Sequence, residues 1–497
     1  MGLIVRQSIF NALISYSGAA VGFLLTIFIY PRVLDADQYG LTRLLISVSM
    51  IFIQFSSLGT RQSIIKYYPH IKQADGYDKG FLFFFSSLNI IGFLIIAFAV
   101  LLFKDSIIQF YAEGSELFVE YYNYLIPLSF FILFFELLNS YSRALYDTVY
   151  PSFLNEILLR ILLICVLILY AFQYFGFEQF LIAFVTCYAI QFALLIIHLI
   201  KRNNFNLLPN FQLFNSKLVR QIGTFSMYSF LGGITTIIIG KIDIIMLSAM
   251  RDLESTAIYS IAFYVGSVIA IPSRAINKIS FPVIANAFKI NNLDEVDVVY
   301  KKSSINQLLI GVLIYIGVWA NLENLFTILP PDYRGGELVV LVIGAAFLFD
   351  MATGINGAIL VSSRFYKFNL YFNMFLVVVA IIANYLLIPK LGILGASTAT
   401  ALSIFLYNSL KFIFVWKKLG LQPFTFQTIL TFAIGGGVFV ISLLIPKLNG
   451  LYVDIMMRSL TIAILFMILS YFLNISDDLN KITDEIFKKV KKKISNR

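Results

Sequence analysis

The sequence predicts an all-α polytopic membrane protein of about 14 transmembrane helices. Three observations predict it. The chain is 59% hydrophobic and only 13% charged, with a mean hydropathy of +0.86. Its apolar residues fall in continuous runs long enough to cross about 30 Å of hydrocarbon, which takes roughly 20 residues as a helix. Lysine and arginine concentrate on alternate connections, as they do where one face of a membrane retains positive charge. A water-soluble chain of 497 residues must cover its outside with polar side chains, and this one cannot.

Windows bounded by charge, proline or polar clusters place the first six spans near Ile9–Tyr30, Leu41–Tyr67, Phe81–Phe103, Val119–Ser142, Ser152–Tyr174 and Gln179–Ile200. A second block of six follows near Arg220–Met250, Ser255–Pro282, Ser304–Ile328, Leu338–Ser362, Phe368–Ile388 and Gly392–Trp416. A last pair, near Thr425–Ile445 and Leu451–Leu473, precedes a basic tail. The runs are continuous and do not alternate with period two, so a closed β-barrel is excluded. The first run is too long for a signal peptide and no small-residue cleavage site closes it, so it reads as the first span. Cys165 and Cys187 both fall inside apolar runs and read as small buried hydrophobes.

With the N-terminus in the cytoplasm, 25 of the 37 Lys+Arg fall on that side and 8 on the other, Arg43, Arg334 and Arg458 among the eight. Both termini are therefore expected in the cytoplasm. The net charge of +10 reports this topology, and nucleic-acid binding is not needed to explain it. The tail reads as a topological stop signal, with contact to anionic lipid as the alternative.

An internal repeat organises the twelve leading spans. SSLGTRQSIIKYYPHI closes the second span and IAIPSRAINKISFPVI the eighth, and in each a proline follows an arginine by eight residues: Arg61 to Pro69, Arg274 to Pro282. An even number of spans per half preserves orientation, as in parallel repeats, whose substrate sites lie between the halves. The expected organisation is an N-terminal six-helix bundle (1–210), a C-terminal six-helix bundle (211–420), two added helices (421–474) and a cytoplasmic tail (475–497).

YPRVLDADQYGLTRLLISV, KIDIIMLSAMRDLESTAIYSIAFYV and NYLLIPKLGILGASTATALS resemble polysaccharide-biosynthesis flippases of the O-antigen type, in the multidrug/oligosaccharidyl-lipid/polysaccharide exporter superfamily. The resemblance covers the first twelve spans. It implies two six-helix bundles in a V around a cavity lined by the first two helices of each half, working by alternating access. It also implies an undecaprenyl-diphosphate-linked glycan as substrate, the bacterial inner membrane as location, and other polysaccharide-assembly membrane proteins as partners. The added helices then offer a groove for the lipid tail.

An ionisable residue in hydrocarbon is costly unless it is paired or meets water, so each is a site candidate. Arg61 and Arg274, about two turns from the cytoplasmic ends of their spans, are the first candidates for a diphosphate, because guanidinium bonds phosphate oxygens in pairs. The competing reading is snorkelling to headgroups. Lys241 joins them as a contact for phosphate or sugar. Asp243, two residues on, is either a structural partner of Arg160 or a carboxylate for Na⁺ or H⁺ coupling, and Asp350 is a second coupling candidate. Glu156 and Arg160, at i and i+4, are expected to form a structural cluster with Glu136. Pro272 removes a helical hydrogen bond beside Arg274 and reads as a hinge. Tyr16, Tyr228 and Tyr264 offer rings and hydroxyls to sugars. The glycines Gly18, Gly22, Gly232 and Gly233 read as packing positions, and the Gly435–Gly437 run, with no strand before it and no Gly-Lys-Ser/Thr after it, is no phosphate loop. His198 reads as interfacial, and no resident cofactor or metal is expected.

Transport of a lipid-linked anion is the leading function. A drug or cation exporter of the same superfamily is the alternative, and it sits poorly with three cations among the candidate lining residues. A membrane polymerase or ligase would need catalytic groups outside the membrane, and no external segment is long enough to carry them.

Overall fold

The computed structural model describes residues 3–71, 80–209, 216–481, 483–485 and 488, and among them there are helices and connections but no strand. Fourteen helices are long and apolar enough to cross a membrane. They are α1 (Phe10–Val33), α2 (Ala36–Ser57), α3 (Phe81–Leu102), α4 (Tyr122–Ala144), α5 (Val149–Ala171), α6 (Phe177–Lys201) and α7 (Ser216–Met250). The series continues with α8 (Leu253–Lys289), α9 (Leu293–Ala320), α10 (Pro331–Ala352), α11 (Tyr366–Leu391), α12 (Ile393–Leu419), α13 (Phe426–Leu443) and α14 (Leu451–Phe472). The expected number of spans is observed. The basic run of the tail lies largely outside the described residues.

The helices are apolar outside and partly polar inside, as lipid demands. On α3, Ile91, Leu94, Ile95 and Phe98 are exposed by 54–67%, while Asn89 is fully buried. Its amide donates to Thr60 Oγ1 at 2.9 Å and to the carbonyl of Phe85 at 2.8 Å. In hydrocarbon an unpaired amide would cost several kcal/mol, so it turns inward.

Several spans are broken where hydropathy shows no break. The second ends at Ser57 and resumes as a separate helix, Thr60–Ile71, after Leu58 and Gly59 adopt left-handed backbone at φ 49° and 75°. A Cβ on Gly59 would strike the backbone of Ser226 and Phe230 on α7, so only glycine permits both the turn and the contact. The eighth span is interrupted by a 3-10 turn at Val268–Ala270 and continues to Lys289, well past the expected end at Pro282. The tenth stops at Ala352 and a short helix, Asn356–Ser362, follows it. Helices also begin earlier than their apolar windows: α2 at Ala36 and α9 at Leu293, whose first turns carry acidic residues suited to a helix N-terminus.

The chain divides into two compact units, Met1–Ile258 and Tyr259–Arg497. In the first, α7 packs along α2 and the Thr60–Ile71 helix. An aromatic cluster of Tyr68, Phe81, Phe85 and Tyr141 fills its core. In the second, α13 and α14 pack on α9, burying Leu308, Val312, Val438 and Phe466 together. By packing, the last two helices are thus part of the second unit. Cys165 and Cys187 are free thiols; Cys187 is buried as expected, whereas Cys165 faces the outside of its apolar span.

Candidate functional site

The first unit holds Arg61 in a polar clamp. Its Nη2 donates to Gln54 Oε1 at 2.6 Å, and the Gln54 amide donates to the carbonyl of Phe230 at 3.2 Å. Gln54 is 2% exposed and its amide fits against Gly233, where a Cβ would collide with it. On the other side Arg61 Nη1 lies 4.0 Å from Glu136 Oε2. The adjoining face is stitched to α7 by Ser63 to Ser226 at 2.6 Å and by Tyr67 OH donating to the Gln221 carbonyl at 3.2 Å. Such bonds between helices hold where apolar burial against lipid cannot.

This arrangement corrects one expectation. Glu136 does not join Glu156 and Arg160. It lies on α4, which packs on the Thr60–Ile71 helix, and its partner is Arg61. Glu156 and Arg160 do pair, at 3.0 Å. Glu156 sits in a π-helical turn of α5, Leu154–Leu158, that packs against α1. Arg160 also donates to the carbonyl of Gly18, and its guanidinium lies against Gly22. Gly18 lets α1 approach the α5 backbone at Glu156, and both α1 glycines leave room for the Arg160 guanidinium. Arg160 is accordingly held by Glu156 and Gly18, and the alternative in which Asp243 serves as its partner is not needed. Asp243 is itself buried on α7.

Arg43, counted with the eight cations of the far side, is the eighth residue of α2. Its guanidinium carbon lies 5.1 Å and 4.6 Å from the rings of Tyr30 and Tyr39, and its Nε is buried with no hydrogen-bond partner. Lys241, on α7, is half-buried, and Arg43 is the neighbouring charge that acts on it. Tyr16 and Tyr228 are 67% and 68% exposed.

In the second unit, Arg274 is exposed and forms no ion pair among the described residues. It is the fourth residue of the helical stretch Ile271–Lys289, which begins after the 3-10 turn with Pro272 at its first positions. Pro272 therefore starts a helix segment and does not kink one from inside. The helix runs 15 residues past Arg274, about four turns and not two. Tyr264 is half-buried one turn before the 3-10 turn.

Asp350 is the centre of a cluster that sequence reading found only in part. Its Oδ1 accepts from Asn408 Nδ2 at 2.9 Å, and Lys411 is close enough to attract it. Lys411 is 5% exposed, its Nζ lies 3.9 Å from the ring centroid of Tyr407, and the Tyr407 hydroxyl donates to Asn373 at 2.6 Å. Lys411 lies within the twelfth apolar window, Gly392–Trp416. Its position inside that window was the available signal. Arg458, counted with the far-side cations, is buried on α14 and paired to Asp454 at 3.3 Å. His198 bonds Asp147 at 2.7 Å, and Arg202 bonds the same carboxylate at 2.8 Å.

Fourteen spans, an internally repeated Arg–x₇–Pro segment and several cations within the spans define a polytopic membrane protein with a partly polar interior. The chain belongs to the polysaccharide biosynthesis protein family, whose model matches residues 4–288. An uncharacterised membrane protein of Methanocaldococcus jannaschii is 23% identical over 455 residues, 85% of this chain and 86% of that one. Among solved structures, the lipid II flippase MurJ in an inward closed conformation superposes with a TM-score of 0.75, covering 94% of this chain and 98% of that one at 14% identity. An inward-facing multidrug resistance MATE family transporter of the same superfamily gives a TM-score of 0.64, covering 84% and 98% at 17% identity. The fold is that of this exporter superfamily, as the resemblance implied.

Proposed function

We propose that this protein is a flippase that moves an undecaprenyl-diphosphate-linked oligosaccharide, a repeat unit of O-antigen, capsule or exopolysaccharide, across the bacterial inner membrane by alternating access. The observation that carries the reading is Arg274: a guanidinium on a membrane span, exposed, with no carboxylate bound to it among the described residues. A buried or membrane-embedded cation that lacks a carboxylate is suited to an anionic ligand. Lys241, with Arg43 as its charged neighbour, adds a second cationic position. Arg61, clamped by Gln54 and set near Glu136, contributes through a fixed orientation. The exposed rings of Tyr16 and Tyr228, with Tyr264, are the proposed sugar contacts. Asp350 and Asp243 are the proposed coupling carboxylates for Na⁺ or H⁺. The asymmetry of lysine and arginine supports cytoplasmic termini.

The test is genetic and chemical. Deleting the gene should trap lipid-linked glycan on the cytoplasmic leaflet, and wild type should release it. Arg274→Ala should reduce export roughly a hundredfold, the scale of a lost bidentate charged contact, with normal amounts of protein in the membrane. Full rescue by Arg274→Ala would remove the assignment. The likeness to a MATE transporter favours a second reading, a drug or cation exporter. Efflux of a lipophilic cation by the purified protein, with no change in lipid-linked glycan on deletion, would establish that reading instead.

A further inference from the structure

Two cavities in the second unit meet at one pair of rings. The first is a cleft of 690 Å³ where α9, α10, α13 and α14 come together at their polar ends. The second is a trough of 430 Å³ between α9, α10 and α13, walled by apolar residues such as Val312, Leu348 and Phe432. Trp319 and Phe439 line both, with ring centroids 4.4 Å apart. From Trp319 back to Val312 the trough follows α9 for seven residues, roughly 10 Å at 1.5 Å per residue.

The cleft is built, and its charges balance. Its floor is the buried pair Asp454–Arg458: Asp454 accepts from Asn324 at 2.6 Å and from the Leu448 backbone at 3.0 Å, while Arg458 donates to the Ser442 carbonyl at 2.9 Å. Arg458 thereby satisfies a carbonyl at the C-terminal end of α13 and fixes the α13–α14 hairpin. At the rim, Lys447 bonds Glu323 at 2.5 Å. Arg334 and Glu337, three residues apart around the start of α10, make no ion pair with each other, and among the described residues the Arg334 side chain reaches only the Leu329 carbonyl, at 3.5 Å. Arg334, Lys447 and Arg458 therefore face Glu323, Glu337 and Asp454.

We propose that the cleft and trough together bind a zwitterionic phospholipid, with its phosphate on Arg334, its ammonium on Glu337 and one acyl chain along the trough past Trp319 and Phe439. With Lys447 paired to Glu323 and Arg458 to Asp454, the cleft offers a ligand one cation, Arg334, and one carboxylate, Glu337, so a head carrying both signs finds a partner for each. The Gly435–Gly437 run takes on a role here. Gly435 lets α13 close on Val312, where a Cβ would strike the valine side chain. Gly436 lines the trough, and a Cβ there would meet no heavy atom within 4 Å. A side chain added at Gly436 would enter the space assigned to the acyl chain without disturbing the helices.

Trp319 is one of two tryptophans in the chain, so Trp416→Phe leaves it as the sole reporter. The protein is reconstituted in phosphatidylcholine vesicles with a minor, equal fraction of dibrominated phosphatidylethanolamine or dibrominated phosphatidylglycerol, and bromine quenching of Trp319 is read. The ethanolamine lipid should quench roughly threefold more than the glycerol lipid at equal fraction. Arg334→Gln and Glu337→Gln, both at the rim, should each reduce that preference, and Gly436→Leu should abolish it with an unchanged melting temperature. Quenching that follows mole fraction whatever the headgroup, or a preference for the anionic lipid, overturns the proposal. So does displacement of the brominated lipid by a purified lipid-linked diphosphate glycan, which would assign the trough to substrate. None of these outcomes touches Arg274 or the flippase reading.

Discussion

The two copies of the Arg–x₇–Pro segment carry the same motif in different settings. In both, a span breaks just before the arginine, so that Arg61 is the second residue of its helix and Arg274 the fourth of its own. The breaks are made by different chemistry. The first relies on two left-handed residues, Leu58 and Gly59, pressed against α7. The second relies on a 3-10 turn and a proline at a helix start, which needs no unusual backbone. The arginines that follow differ in the same sense, since Arg61 is clamped and Arg274 is not. A repeated sequence segment thus preserves where the chain breaks, while its surroundings decide whether the arginine serves the fold or is available to a ligand.

The largest expected effect separates the two breaks. Gly59→Ala must place a Cβ on left-handed backbone and against the main chain of Ser226 and Phe230. Strain and overpacking together should cost about 2–5 kcal/mol. Pro272→Ala restores a backbone donor near a helix start and should change stability by less than about 1 kcal/mol. Thermal unfolding in detergent checks both, and a Pro272→Ala penalty equal to that of Gly59→Ala would mean that the two breaks are mechanically alike.

The second contrast concerns the arginines. Arg61→Met leaves the Gln54 amide oxygen and the Glu136 carboxylate without their partner, so stability should fall by about 1–3 kcal/mol. Arg274→Met removes an exposed group with no ion pair and should leave the melting temperature unchanged within the roughly 0.5 kcal/mol typical of surface changes. The same pair should reverse in the export assay, where Arg274→Met is the severe variant. Equal melting points for the two would break the distinction between a clamped and an available arginine.

How much of this was legible follows from what lipid enforces. Hydrocarbon requires some twenty apolar residues per crossing, so the number of spans stands in the sequence whatever the packing. Breaks inside a span leave hydropathy untouched, and those at 58–59, 268–270 and 353–355 are signalled only by Gly59, Pro272 and Gly354. Among the charges, Glu156 and Arg160 were readable because i,i+4 is a local geometry. Glu136 was not, because its partner comes from a helix some seventy-five residues away, and only tertiary packing selects it. Lys411 lies six residues before the Lys417–Lys418 pair, so a buried cation looked like part of an interfacial basic run. Arg61 stands out as a charge at the end of an apolar run, whereas Gln54, which orients it, carries no charge to mark it in the sequence.

The smallest effect asks what holds Arg61. Two partners are in place, an amide oxygen at 2.6 Å and a carboxylate oxygen at 4.0 Å. The Arg61 and Glu136 side chains are about a quarter exposed, and an ion pair at that distance and exposure couples by only about 0.2–1 kcal/mol. A hydrogen bond from a charged donor to a buried acceptor contributes about 1.5–3 kcal/mol, and Gln54 is buried and fixed in turn by the Phe230 carbonyl. Double-mutant cycles on Arg61→Met with Gln54→Met, and on Arg61→Met with Glu136→Gln, separate the two. The Gln54 coupling should be the larger. If Glu136 couples more strongly, Arg61 is held by charge, and its counter-ion would compete with any diphosphate brought near it. If Gln54 dominates, the positive charge of Arg61 is oriented but only weakly neutralised, and the clamp leaves it able to act on an anion together with Lys241.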